Sequence, residues 1–223
     1  MFKDILVSLY SINNDKYLGG YIMCGRYYLA DLSEDDVKDM KQILRDIDKM
    51  SLNSDLKLKT EGEIFPTDIV PVVSNNKQKE IKAFPMQWGY KPFQQGGRPL
   101  INARSETASD KPMFRKSMIE RRCLIPASYY FEWEGQKGSK IKHSIKPIGN
   151  EAFFMAGLYR YESEKNIPVF TILTRDAAPD IKFIHHRMPV ILPEGARSEW
   201  LNLSNNADEV IQATLLDMKH WTA

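Results

Sequence analysis

Cysteine is scarce in this chain of 223 residues, where only Cys24 and Cys123 occur. Two cysteines cannot build a disulfide framework or a cysteine-based zinc site, and their scarcity is typical of a reducing compartment. Cys123 lies in an apolar run and is expected to be a small buried hydrophobic residue. The composition therefore predicts a cytoplasmic protein without structural disulfides.

Long hydrophobic runs are also missing, since no apolar stretch approaches the ~20 residues that span a bilayer. The first 22 residues do not fit a signal peptide, because they open with almost no positive charge and 13–16 interrupt their short apolar part. We therefore expect no association with membranes.

An excess of charge of one sign is the third absence, because the formal net charge is only +2. A strongly basic nucleic-acid binder is not implied overall, although a local cluster of basic side chains could still bind phosphates. Binding to nucleic acid would then depend on a few arginines on one face.

The patterning predicts a single α+β domain with a mostly antiparallel, barrel-like central sheet flanked by helices. Ser33 and Asp36 resemble a capping box, and apolar residues at three- and four-residue intervals continue a helix to about Met50. Short apolar segments separated by proline and glycine predict strands at 69–73, 81–84, 123–133, 140–145, 152–161 and 169–174. Further helices are predicted at 113–121, 193–201 and 207–219.

Met23 and Cys24 carry the most specific chemical possibility in the chain. If Met23 is the start residue and is removed, Cys24 presents an α-amine and a thiol that together condense with an aldehyde into a five-membered ring. Leu18-Gly19-Gly20 can be encoded with AGGAGG, followed by a short spacer before the Met23 codon, which is the layout of a bacterial ribosome-binding site. Residues 1–22 are therefore expected to be a leader or propeptide outside the mature fold, and a genuine N-terminal strand is the alternative.

Three further stretches could carry chemistry. The polar cluster 101–107 contains Asn102 and Arg104, although a loop that bonds its own backbone would look the same. Glu132 alternates with Phe131 and Trp133, which on this stretch alone indicates a solvent-facing carboxylate. His185 and His186 adjoin Arg187, so a proton-handling or phosphate-facing role is favoured over a metal site. A cysteine hydrolase that pairs Cys24 with His185 or His143 is the generic alternative.

Taken in order, these motifs closely resemble the SRAP family, the SOS response-associated peptidases. The resemblance runs from Met23 to about Leu201 and consists of Met23-Cys24-Gly25-Arg26, Trp88-Gly89-Tyr90, 101–107, Arg122-Cys123-Leu124-Ile125-Pro126 leading into Phe131-Glu132-Trp133, 171–174 and Ile184-His185-His186-Arg187-Met188-Pro189. Several separated motifs in one order are far more specific than any one of them.

The resemblance implies a sensor of abasic sites in single-stranded DNA that reacts through an N-terminal Cys24. It implies catalytic roles for Asn102, which would orient the amine or sugar oxygen, for Glu132 at the imine stage, and for His185 in opening the sugar ring. The residues that it implies for DNA binding are Arg26, Trp88, Phe93, Arg104, Thr174 and Arg187. It implies no cofactor or metal, a monomer, and association with the nucleoid when DNA is bound.

The chain departs from the family pattern in three respects. His186 stands where an acidic residue is usual after the histidine, and Phe93-Gln94-Gln95 stands where some members have paired tryptophans. With residues 1–22 attached, Cys24 has an amide in place of an amine and cannot close the ring. Two alternatives therefore stay open, a peptidase that removes its own N-terminal extension and a module that binds single-stranded DNA without a covalent bond.

Overall fold

The computed structural model describes residues 25–30, 56–94, 96–135 and 139–223, together with positions 43, 46, 47 and 49. These four positions are helical, as predicted, and Ile43 is fully buried. The predicted leader at 1–22 and Cys24 lie outside the described residues.

The described strands alternate irregularly with short helices. The strands are β1 (Arg26–Leu29), β2 (Gly62–Ile64), β3 (Ile69–Asn75), β4 (Ile81–Trp88), β5 (Asn102–Arg104), β6 (Arg122–Ala127), β7 (Tyr129–Glu134), β8 (Ile141–Pro147), β9 (Phe153–Arg160), β10 (Val169–Asp176), β11 (Arg187–Pro189), β12 (Ile191–Leu192) and β13 (Met218–Thr222). The helices are α1 (Ser105–Ala108), α2 (Pro112–Glu120), α3 (Glu194–Leu201) and α4 (Ala207–Val210), with 3₁₀ turns at Pro179–Ile181 and Ile211–Ala213. None of them is long and apolar enough to cross a membrane.

The larger sheet closes on itself. Its strands follow the order β10-β4-β3-β6-β9, and β9 pairs back onto β10, so these strands form a ring. The pairings are antiparallel except where β10 runs parallel to β4 and to β5. The α+β fold and its antiparallel, barrel-like sheet are therefore confirmed.

The second sheet has the order β13-β8-β7-β1-β2 and packs one face on the barrel. Tyr27 and Tyr130 point to this inner face, where the Tyr27 ring lies 5.3 Å from that of the buried Trp88. Because side chains alternate along a strand, Arg26 and Tyr28 belong to the opposite face. We call this opposite side the outer face of the second sheet.

Two predicted elements differ from the structure. The strand predicted over 123–133 is two strands, since the chain leaves the barrel after Ala127 and enters the second sheet at Tyr129. Ser128 makes this transition, and its amide donates to the Tyr28 carbonyl at 2.8 Å.

The helix predicted over 207–219 is wrong beyond its first turns. Only Ala207–Val210 is α-helical, a 3₁₀ turn follows, and Met218–Thr222 is a strand that pairs with β8. The apolar spacing was helical, but backbone groups along β8 accept a neighbouring strand, and this tertiary pairing overrides local propensity.

Gly157 lies where the ring closes, between Cys123 of β6 and Ile172 of β10. A Cβ there would collide with the Ile125 side chain and stand 2.8 Å from the Thr171 carbonyl oxygen, which belongs to the backbone and cannot yield easily. Gly157→Ala should therefore reduce the free energy of unfolding by about 1–3 kcal/mol in urea titrations.

Gly195 provides the matched control, because it lies in α3 with open space around its Cα. Gly195→Ala should stabilise the fold by about 0.5–1 kcal/mol, since alanine restricts the unfolded chain. Equal effects of the two substitutions would contradict the close approach of the strands at Gly157.

Candidate functional site

Glu132 lies on β7 beside the beginning of β1. Arg26 faces Phe131 in the β1–β7 ladder, so the preceding residue, Gly25, comes opposite Glu132. Glu132 is only 2% exposed, and the expectation of a solvent-facing carboxylate is wrong. The predicted alternation with Phe131 and Trp133 holds, but the face that carries Glu132 is the one covered by the barrel.

His143 is the cross-strand neighbour of this carboxylate on the inner face. It faces Glu132 across the β7–β8 ladder, and its Nε2 lies 2.9 Å from Glu134 Oε2. An imidazole and two carboxylates therefore lie together on the inner face of the second sheet, where Glu132 and His143 are buried and Glu134 is partly exposed. The sequence indicated His143 only as an alternative partner for Cys24, because its pairing with Glu132 depends on strand register.

Asn102 opens β5 and pairs with Ile172 of β10. Its position is fixed by the preceding residue, because Trp88 Nε1 donates to the Ile101 carbonyl at 3.0 Å. Trp88 also contacts Tyr27 of β1, and it is fully buried. The predicted part of Trp88 in DNA binding stays a prediction. In the structure this residue links the strand of Asn102 to β1.

His185 lies between the 3₁₀ turn and β11, half-buried. Its Nδ1 is 3.1 Å from the Arg187 amide nitrogen and 3.4 Å from the Arg187 carbonyl oxygen. The shorter contact requires Nδ1 to accept, which leaves the proton of the neutral ring on Nε2. Nε2 itself is buried and has no hydrogen-bond partner among the described residues.

The environment of His185 favours its neutral form. Burial is the largest cause that lowers its pKa, and His186, whose ring stacks at 4.4 Å, lowers it further. His186 is exposed and stands where the family resemblance implies an acidic residue, so no carboxylate adjoins the His185 ring from this position. The site thus contains a neutral imidazole with an N–H that can donate.

Arg187 is 5% exposed, and protein groups hold its guanidinium. Nη1 contacts Glu106 Oε1 and Asp176 Oδ1 at 2.6 Å each, and Nη2 donates at 2.7 Å to Glu106 Oε2 and to the Thr174 carbonyl. Burial alone would raise the pKa of Glu106, but the hydrogen bonds from Arg187 lower it below its ordinary value. These contacts join α1, β10 and β11.

The parts predicted for Arg187 and Thr174 in DNA binding stay predictions. Thr174 is fully buried, and its hydroxyl lies 3.4 Å from the Ala103 carbonyl. Both side chains therefore already bind protein groups at the end of the barrel.

The remaining predicted residues are accessible. Arg104 is exposed at the end of β5, and Phe93 is 77% exposed in the connection between Tyr90 and Leu100. The Arg26 side chain is 40% exposed and bonds Glu63 at 3.2 Å. These three can meet a ligand without rearrangement of the core. The described part of the chain holds no cluster of three residues that could bind a metal ion.

A family model described as SOS response associated peptidase (SRAP) matches residues 23–222. This chain belongs to the SRAP family. It is 33% identical over 202 residues to the abasic site processing protein YoaM of Bacillus subtilis. This match covers 87% of this chain and 86% of YoaM. It is 28% identical over 189 residues to the abasic site processing protein YedK of Escherichia coli, covering 80% and 79% of the two chains.

The fold of this SRAP chain is also found in a crystal structure of a protein from Bacteroides thetaiotaomicron. The two superpose with a TM-score of 0.72 at 22% identity, over 89% of this chain and 91% of the other. This likeness supports the architecture described above.

Glu106→Gln should lower the free energy of unfolding, because it leaves the buried Arg187 with less compensating charge. We expect about 1–2 kcal/mol in urea titrations, less than for a fully buried pair, since the Glu106 side chain is 48% exposed. Asp176→Asn is the matched control and should have a smaller effect, because Asp176 is 84% exposed. A larger loss for the Asp176 variant would contradict this assignment.

His185 should make the fold sensitive to acid. Its pKa in the folded chain lies below the ordinary value of about 6.5, so the unfolded chain binds more protons as pH falls below that value. The contribution of neutral His185 to the free energy of unfolding is therefore present above about pH 6.5. It is lost as pH falls towards the lowered pKa of His185 in the folded chain.

His185→Gln should therefore flatten the dependence of the unfolding free energy on pH in this window, measured by urea titration at a series of pH values. His220→Gln, at an exposed position on β13, is the control and should follow the parent curve. Parallel curves for all three proteins would show that His185 is not held neutral by the fold.

Proposed function

We propose that this chain senses abasic sites in single-stranded DNA and joins them covalently through Cys24, once the preceding residues have been removed. The observation that carries the proposal is the match to relatives named abasic site processing proteins, over more than three quarters of each chain. The buried Glu132 opposite Gly25, which is bonded to Cys24, supports a reaction at this end of β1.

The chemistry follows from an N-terminal cysteine. Its α-amine, with a typical pKa of about 8, is partly neutral at cellular pH and attacks the aldehyde carbon of the ring-opened sugar. Loss of water leaves an imine between the nitrogen and that carbon. The thiol sulfur then bonds to the same carbon, its proton passes to the nitrogen, and a thiazolidine ring closes.

The polar residues of the site take separate parts in this sequence. Glu132 accepts and returns protons at the imine stage, a task for which a carboxylate shielded from water is suited. Asn102 orients the amine or the sugar oxygen. His185 donates from Nε2 to the ring oxygen of the sugar as it opens, which its neutral tautomer permits.

Binding of the strand uses the accessible residues. Arg26 and Arg104 contact phosphates, and Phe93 stacks on a base, because an exposed aromatic ring offers a sequence-tolerant surface. Arg187 holds α1, β10 and β11 together and thereby positions both Arg104 and His185. A chain of net charge +2 can in this way bind DNA through a local cluster.

The deciding experiment is intact mass spectrometry and denaturing electrophoresis with single-stranded DNA that carries one abasic site. Protein that begins at Cys24 should form a heat-stable adduct with the mass of protein plus DNA less one water. Cys24→Ala should form no thiazolidine, and Glu132→Gln should form the adduct at least about tenfold more slowly.

The full-length chain is the control for the N-terminus. While residues 1–23 stay attached it should not crosslink, and appearance of the adduct only after their loss by self-cleavage would support the peptidase alternative. An equally stable adduct from Cys24→Ala would refute the thiazolidine mechanism. If the protein that begins at Cys24 binds this DNA but forms no adduct, the alternative of a non-covalent DNA-binding module is supported.

A further inference from the structure

The outer face of the second sheet carries aromatic side chains that the proposed reaction does not use. Across the face, Arg26 is flanked by Phe131 of β7, and Tyr28 is flanked by Tyr129. Trp221 of β13 belongs to the same face, since it pairs with Ser144, which pairs in turn with Phe131. The aromatic side chains therefore extend from β1 to the edge strand β13.

These rings form one contact series. Tyr28 and Tyr129 stack at 4.7 Å with their planes nearly parallel. Tyr129 meets Phe131 edge-on at 5.3 Å and Trp221 at 5.5 Å. Trp221 is 40% exposed, and both tyrosines are partly exposed. We call Tyr28, Tyr129 and Trp221 the aromatic ladder.

Basic side chains surround the ladder. Lys142 Nζ lies 3.6 Å from the Phe131 ring centroid, and Lys146 and Lys219 occupy the same face on β8 and β13. Arg26 and Lys142 share Glu63, Lys59 pairs with Asp68, and Lys146 pairs with Glu151, so four cations are paired with three carboxylates. Lys219 adds a further cation at an exposed position. An anionic ligand with flat rings is complementary to this surface in both charge and shape.

The ladder adjoins the proposed reaction point. Tyr28 lies two residues along β1 from Arg26, a spacing of about 7 Å, and Gly25 is the residue that follows Cys24. A DNA strand held at Arg26 would therefore meet the ladder as it continues across the sheet.

We infer that the aromatic ladder and Lys219 bind the single-stranded DNA that flanks the lesion, extending the binding site across the outer face. The inference depends on the proposed function for the position of the lesion. A single strand fits better than a duplex, because bases must be unpaired to stack on Tyr28, Tyr129 and Trp221.

The test compares oligothymidines of about 5 and about 15 nucleotides, lengths that span one binding surface of this kind. Fluorescence anisotropy would give the dissociation constant of each for protein that begins at Cys24. The parent protein should bind the longer strand more tightly, and Tyr129→Ala, Trp221→Ala and Lys219→Gln should each lose most of that gain, about five- to tenfold for the aromatic variants.

Tyr161→Ala is the matched control, since Tyr161 is 68% exposed just after β9 on the barrel and should leave the gain unchanged. The Trp221 and Lys219 variants guard against misfolding, because both positions are accessible on the edge strand. Retention of the full gain by all three of the Tyr129, Trp221 and Lys219 variants, or an equal loss in Tyr161→Ala, would overturn the inference.

Crosslinking of the parent protein to abasic DNA tests the proposed function separately. If the parent forms no adduct but the ladder variants lose the length-dependent gain, the proposed chemistry fails and the DNA path stands. If the parent forms the adduct and the variants keep the gain, the chemistry stands and the path is refuted. If the variants lose the same length-dependent gain with oligouridines, the surface binds single-stranded RNA as well as single-stranded DNA.

Discussion

The buried guanidinium of Arg187 is the interaction on which this end of the molecule depends. It bridges the carboxylates of Glu106 and Asp176 and the carbonyl of Thr174, so α1, β10 and β11 meet at a single side chain. Its backbone amide at the same time donates to His185 Nδ1. The positive charge of Arg187 is costly to bury, and Glu106, Asp176 and the Thr174 carbonyl compensate for it. These groups belong to the elements that carry the site. Stability and the orientation of His185 are coupled through one residue.

The irregular course of the chain has a similar coupling effect between the two sheets. Strand β6, which begins at Arg122 in the barrel, continues after Ser128 as β7, the strand that carries Glu132 in the second sheet. Ser128 also holds the end of β1, because its amide donates to the Tyr28 carbonyl at 2.8 Å and its hydroxyl accepts from the amide of Ala30, just after the strand, at 2.9 Å. The barrel and the second sheet cannot shift independently near Glu132, because the covalent chain and β1 hold them at the same point.

Much of this architecture could be predicted from apolar periodicity, because strands and helices with one buried face leave a pattern in the sequence. The pattern failed where tertiary partners decided the outcome. The apolar spacing at 207–219 is helical, but only its beginning forms α4, and its end forms part of β13, which pairs with β8. For Glu132, alternation correctly grouped the side chains into two faces, but nothing local says which face the barrel covers. The pairing of Glu132 with His143 and the burial of Arg187 are likewise consequences of register and packing.

The two faces of β1 and β7 explain why a reaction at their end is physically sensible. Alternation sends Tyr27 and Glu132 inward, towards the barrel, and sends Arg26, Tyr28 and Phe131 to the outer face. On that face Arg26 and Tyr28 are partly exposed, whereas Lys142 and Tyr129 cover Phe131. A carboxylate that moves protons benefits from burial, whereas a polyanion needs an open surface with cations and exposed rings. The interior of a strand cannot offer both to one ligand, because the sheet separates its faces. Only at the end of the strand do the two sides meet, and Gly25 lies there. The proposed function requires of Cys24, which is bonded to Gly25, that it reach both the shielded carboxylate and a strand bound on the outer face.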